Sequence, residues 1–162
     1  MKRLFVFLFL VAGPLFFLAD VSADFEKTQH GLFPDEILSA DTLYEKIRSK
    51  KTLLIFDARD KRSYDSLHIQ GAKLPMKPDY YRQMDLFKNG IISEAPDYEK
   101  ALAEAVKDYP KDIPIVTYCN SGCHAGAVLA LRLKQKGLKD VQSMEEGLQE
   151  WQKKGYPVQI AK

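Results

Sequence analysis

The chain has 162 residues, 24 basic against 22 acidic, for a net charge of +2. That balance leaves no electrostatic footprint for nucleic acid or for an anionic membrane, and the scattered Lys and Arg read as solvated surface. The length suits one domain with a real core, and no internal repeat or low-complexity run divides it.

Lys2 and Arg3 open the chain, Leu4 to Ala19 is apolar apart from Gly13 and Pro14, and Val21-Ser22-Ala23 has the small-residue pattern of a cleavage site. This reads as a signal peptide, residues 1–23, cut after Ala23. The apolar run of 16 residues is short for a spanning helix, and Pro14 interrupts it, so no stable membrane insertion is expected after cleavage. Residues 24–162 would then form a single exported domain of 139 residues with a net charge of +1, periplasmic if the source is a Gram-negative bacterium.

A first strand is expected near Glu36 to Leu38. Ser39 or Asp41 then caps a helix with Leu43 and Ile47 at helical spacing. Thr52 to Arg59 is a continuous apolar run with a polar end, the mark of a buried parallel strand. Ala72 to Leu74 is a shorter candidate. Met76 to Ala95 is less regular and reads as a helix and loop packing Tyr80, Tyr81 and Phe87 onto the domain, with a lid or partner surface as the other reading. A helix starts near Pro96-Asp97 and includes Ala101 to Val106. Ile113 to Cys119 is a second buried strand. The helix Ala125 to Lys136 follows, with Val128, Leu129, Leu131 and Leu133 as its apolar body and Gly137 at its end. Val141 to Met144 is a strand, and Leu148 to Lys154 a helix with Trp151 on the core and Gly155 closing it. Strands alternating with helices predict an α/β domain whose ligands bind beyond the carboxyl ends of the strands.

Both cysteines, Cys119 and Cys123, fall at one such end. In an exported chain an even count ordinarily means a disulfide. A bridge across three residues closes a tiny loop and removes little unfolded-state entropy, so the pair reads as chemical more than structural. Gly122 lets the loop bend so that backbone N–H groups converge, and the following helix start adds positive character. A thiolate there has a lowered pKa and is the nucleophilic form. Cys119 to His124 is also one residue longer than a haem attachment motif, but it lies between a buried strand and an apolar helix, which opposes that reading. Neither His30 nor His68 supplies a recognisable partner for a zinc site, so no metal site and no cofactor are expected.

The frame around the cysteines is more specific. Asp57, Arg59, Tyr64, His68-Ile69, Gly71-Ala72, then Cys119 at a strand end, then Gly147, Trp151 and Gly155-Tyr156-Pro157 appear in that order. This series resembles the rhodanese family over roughly residues 36–158. The resemblance implies a three-layer fold, a central parallel sheet of about five strands with helices on both faces. It implies a sulfurtransferase in which Cys119 takes sulfur from a small sulfur anion such as thiosulfate as a persulfide and passes it to a thiol or cyanide. The loop Asn120, Ser121, Gly122, Cys123, His124 and Ala125 would bind the anion through its N–H groups. Related cysteine phosphatases need a loop one residue longer, closed by an arginine six positions after the cysteine; Ala125 stands there, and the next arginine is Arg132.

Asp57 and Arg59 read as scaffold within the family and as a surface ion pair without it. His68 reads as a hydrogen-bonded structural histidine. His124 stands where the family often has Arg, and an ordinary imidazole is charged only below about pH 6.5. Cys123 reads as a resolving thiol or as a bystander, and two thiols so close oxidise together easily. Glu146-Gly147 stands where Gly-Gly is usual, with no clear consequence from sequence. A persulfide carrier or binding module served by protein donors and acceptors is the remaining alternative.

Overall fold

The computed structural model describes residues 31–49 and 52–161. The signal-peptide reading and His30 lie outside the described residues. The elements run α1 (Ala40–Arg48), β1 (Leu54–Asp57), α2 (Lys61–Ser66), β2 (His68–Ile69), α3 (Pro78–Lys88), α4 (Tyr98–Val106), β3 (Ile115–Tyr118), α5 (Ala125–Gln135), β4 (Val141–Met144), α6 (Gly147–Lys153) and β5 (Val158–Gln159).

Three strands form the parallel sheet in the order β1-β3-β4, with β3 central and buried at every position. Such strands need apolar residues on both faces, and alternate residues serve opposite layers. Phe56, Ile115 and Val141 face a core with Leu102 and Val106 of α4, Tyr81 of α3, and Ala127, Leu129 and Leu133 of α5. Ile55, Val116, Tyr118 and Met144 face the other core, with Ala40 and Leu43 of α1 and Leu148 and Trp151 of α6. The three layers expected from sequence are therefore present.

Of the about five sheet strands expected, three form full strands among the described residues. The segments near 36–38 and 72–74 each contribute one parallel bridge, Ile37 to Ser143 and Lys73 to Phe56, at opposite edges. The first is cut short because Ser39 at once becomes the side-chain cap of α1, accepting from Thr42 N at 3.1 Å. The second runs into Pro75, which has no N–H for a ladder. A separate two-stranded sheet pairs β2 with β5 antiparallel.

The segment 76–95 holds α3, with Tyr81 buried, as the packing reading expects. Phe87 is the exception, 38% exposed. Val128 of α5 is likewise 42% exposed, so it lies outside that helix's apolar body. Among the described residues no helix is long and apolar enough to cross a membrane.

Candidate active site

Strand β3 delivers Cys119 to the carboxyl end of the sheet, where it is 5% exposed. Two neighbours fix its backbone. Leu148 N donates to Cys119 O at 2.9 Å. Gly126 packs beneath, where a Cβ would meet Tyr118 C at 3.1 Å and Cys119 N at 3.3 Å. Thr117 Oγ1 donates to Gly126 O at 2.8 Å, pinning the first turn of α5 to β3.

The loop between them is short and outward-facing. Cys123 N donates to Asn120 O at 3.1 Å, and Gly122 takes a φ of 72°, the left-handed conformation that favours glycine. Ser121, Gly122, Cys123 and His124 are exposed, Asn120 and Ala125 half-buried. His124 is the residue before α5, and Val128 N donates to its carbonyl at 3.0 Å. Cys119 and Cys123 are joined as a disulfide, with Cα atoms 5.9 Å apart. All the loop residues singled out from sequence thus sit in one turn around Cys119.

Three residues outside the loop also build the site: Gln149, which the sequence reading passed over, and Gly147 and Glu146, which it named without their contacts. Gln149 Oε1 accepts from Ser121 N at 2.6 Å, so α6 holds the loop by one of its own amides. Gly147 has φ 75°, and a Cβ there would overlap Ser121 N and approach Asn120 C to 2.5 Å. Only glycine lets α6 start this close to the loop. Glu146, set down from sequence as having no clear consequence, has one: its Oε2 accepts from Ala40 N at 2.6 Å and ties α6 to the start of α1. The signals available were the Gly147 position and the polar Gln149 in an otherwise core-facing stretch.

Behind Cys119 lies a buried polar cluster. Asp57 is fully buried and the Arg59 side chain 8% exposed. Arg59 Nη2 donates to Asp57 Oδ2 at 2.6 Å and Nε to Oδ1 at 2.9 Å, and Nη2 also reaches Leu67 O at 2.5 Å. Tyr118 Oη donates to Asp57 Oδ2 at 2.7 Å and accepts from Ile69 N at 3.1 Å. Burial and the adjacent Asp57 carboxylate push the Tyr118 hydroxyl far up, so it stays a donor. For Arg59, burial opposes the charge, but Asp57 outweighs it and raises the pKa. The surface-pair reading of Asp57 and Arg59 is corrected: the pair is interior, because Tyr118 and the Leu67 carbonyl complete its hydrogen bonds.

His68 is fully buried. Its Nδ1 pairs with Tyr64 O at 2.8 Å and its Nε2 with the Gln159 amide at 2.8 Å, while the ring stacks on Tyr64 at 3.8 Å. Both nitrogens are used in the β2–β5 corner, as a structural histidine requires.

A cysteine-bearing loop between a central parallel strand and a helix, in a three-layer frame, places this chain among α/β proteins whose ligand sites lie beyond the carboxyl ends of the strands. The model of the rhodanese-like domain matches residues 39–154, and the chain belongs to that family. Solved structures agree at the level of fold. The Alr3790 protein from Anabaena is 20% identical with a TM-score of 0.57, over 76% of this chain and 92% of that one. A thiosulfate sulfurtransferase from Pseudomonas aeruginosa is 18% identical with a TM-score of 0.53, over 77% of this chain and 20% of that one. SseA, a 3-mercaptopyruvate sulfotransferase from Escherichia coli, is 17% identical with a TM-score of 0.54, over 78% of this chain and 52% of that one. Among curated proteins none matches this sequence.

Proposed function

We propose that the protein is an exported sulfurtransferase with Cys119 as its nucleophile. The observation that carries this is the position of Cys119, at the carboxyl end of the central strand under a glycine-bent loop, in a chain of the rhodanese-like family. Two thiols first reduce the Cys119–Cys123 disulfide and leave joined as a disulfide of their own. The Cys119 thiolate then attacks the outer sulfur of thiosulfate or a related donor. The S–S bond of the donor breaks, sulfite leaves with the bonding pair, and a persulfide remains on Cys119. A thiol or cyanide takes the outer sulfur and Cys119 departs as a thiolate. Loop N–H groups from Asn120 to Ala125, other than those of Ser121 and Cys123 that already donate to Gln149 and Asn120, stabilise the anionic sulfur. The domain extends over residues 24–162, and residues 1–23 direct export and are removed.

The disulfide in the structure favours a second reading. Cys123 attacks the inner sulfur of the Cys119 persulfide, hydrogen sulfide leaves, and the two cysteines are joined again. The protein is then a thiol-redox or sulfide-releasing catalyst, or a persulfide carrier without small-molecule turnover.

Intact mass of the reduced, purified protein before and after thiosulfate tests both. A gain of one sulfur that needs Cys119, not Cys123, and vanishes with cyanide supports the sulfurtransferase. Loss of two hydrogens that needs both cysteines supports thiol redox. No change removes the reading that thiosulfate is a donor. The starting mass reports whether residues 1–23 are gone.

A further inference from the structure

Two amides of the cysteine loop are spent within the protein. Cys123 N donates to Asn120 O at 3.1 Å, and Ser121 N donates to Gln149 Oε1 at 2.6 Å. An anion beside Cys119 therefore has fewer backbone donors than the loop's length suggests. The second of these bonds returns a donor. A side-chain amide that turns its oxygen to an N–H turns its NH2 group away, and the donor at Ser121 fixes which end is which. Oε1 and Nε2 are bonded to one carbon, so Nε2 stays beside the loop. Gln149 is exposed, as are Ser121 to His124, and its Nε2 makes no hydrogen bond among the described residues.

The backbone carries this residue to the loop. Leu148 N donates to Cys119 O at 2.9 Å, and a Cβ on Gly147 would overlap Ser121 N. The two residues before Gln149 thus pack directly on the cysteine loop. The direction of the chemistry fits the same place. Attack of a thiolate on a sulfur–sulfur bond expels the far sulfur, on the side away from the nucleophile. Cys119 is buried and Gln149 exposed, so the leaving end of a donor faces the side on which Gln149 stands.

We infer that Gln149 is a substrate-binding residue: its Nε2 donates to an oxygen at the leaving end of the sulfur donor and so selects donors that end in an oxyanion. The inference rests on the sulfur-transfer reading. With thiosulfate, the Cys119 thiolate attacks the outer sulfur, the S–S bond breaks, and sulfite leaves with the bonding pair while an oxygen of it is held by Gln149. That hydrogen bond exists before and after the step, so it acts on KM and little on kcat.

Gln149→Glu separates the two uses of the side chain. Its carboxylate, ionised at neutral pH, still accepts from Ser121 N but has no donor and repels an anion. The KM of thiosulfate in sulfur loading is expected to rise about tenfold with kcat within about twofold. Alkylation of Cys119 in the reduced protein reads the same contact without sulfur transfer. The reagents are iodoacetate, an anion, and iodoacetamide, its neutral counterpart, used at a pH where the iodoacetamide rate has levelled off, with Cys119 resolved from Cys123 by peptide mass. In Gln149→Glu the ratio of the iodoacetate rate to the iodoacetamide rate is expected to fall about tenfold, and in Gln149→Met, which is neutral and lacks the donor, about threefold. An unchanged ratio in Gln149→Met overturns the inference, because repulsion alone then explains Gln149→Glu. An equal fall in both rates also overturns it, because Gln149 is then only a brace for the loop. A protein that takes no sulfur from thiosulfate defeats the sulfurtransferase reading instead, and the alkylation ratios still decide Gln149.

Discussion

Strands β1 and β3 lie side by side in register and end at the same level of the sheet, yet their ends are finished in opposite ways. After β1 the chain turns inward. Asp57 and Arg59 lock onto each other, and Tyr118 and the Leu67 carbonyl add one hydrogen bond each to the carboxylate and the guanidinium. After β3 the chain turns outward, and the loop from Ser121 to His124 faces solvent. One end is committed to structure; the other is held from behind and open in front. A buried pair bonded to each other and to two neighbours positions those neighbours rigidly. A short loop, two of whose amides are bonded to Gln149 and Asn120, is held in shape while its side chains stay open to solvent. The first supports the second through Tyr118, the residue before Cys119.

The comparison breaks most severely at Arg59. Arg59→Met leaves Asp57 buried without its partner and is expected to destabilise the fold by about 3–5 kcal/mol, read as a fall in the denaturant midpoint. If the midpoint barely moves, the inner strand end is not the rigid one. Gly147→Ala acts on the outer end. It forces a side chain at φ 75° against Asn120 and Ser121 and is expected to cost about 1–3 kcal/mol. Sulfur loading of Cys119 should drop more than the stability change explains, because the loop itself is pushed; equal loading would show that the loop tolerates displacement.

The smallest effect sharpens the boundary of the inner end. Asp60 caps α2, accepting from Ser63 N at 3.0 Å and Ser63 Oγ at 2.8 Å. Partial burial opposes its charge, but these bonds outweigh it and lower its pKa. A lowered carboxyl stabilises the folded state above its unfolded pKa, about 3.9, and that contribution is lost as pH falls through the lower folded value. Asp60→Ala should therefore cost about 1 kcal/mol at neutral pH and progressively less in acid. A deficit that is the same at both pH values would count against the cap's charge.

Strands β1, β3 and β4 and helices α1, α4, α5 and α6 were legible because each carries an apolar run or a capped period long enough to be seen. Strands β2 and β5 have two residues apiece and hold no period at all. The edges at Ile37 and Lys73 look like strands by composition, but whether they pair over one residue or four depends on where the next cap or proline falls. Helix α2 was missed although Asp60 stands in the capping position, since none of its residues is buried and no apolar stripe marks it. At the site, Cys119 and its loop are contiguous and so could be read directly. Gln149 reaches the loop from 28 residues away, and the interior placement of Asp57 and Arg59 depends on a tyrosine 61 positions later. Contacts of that kind are made by packing and leave no local trace.

The corner where β2 meets β5 has a bearing on how the molecule assembles. His68 and Gln159, joined there, are 91 positions apart, and Trp151 Nε1 donates to Pro157 O at 3.0 Å to steer the last segment toward β2. A contact of that span carries a large closure entropy and gains nothing from local propensity, so the layers between must already hold the two ends near each other. The corner is in this sense a clasp: it ties the last segment to β2, and the amide of Ile69, bonded to the Tyr118 hydroxyl beside it, links that clasp to the strand carrying the cysteine.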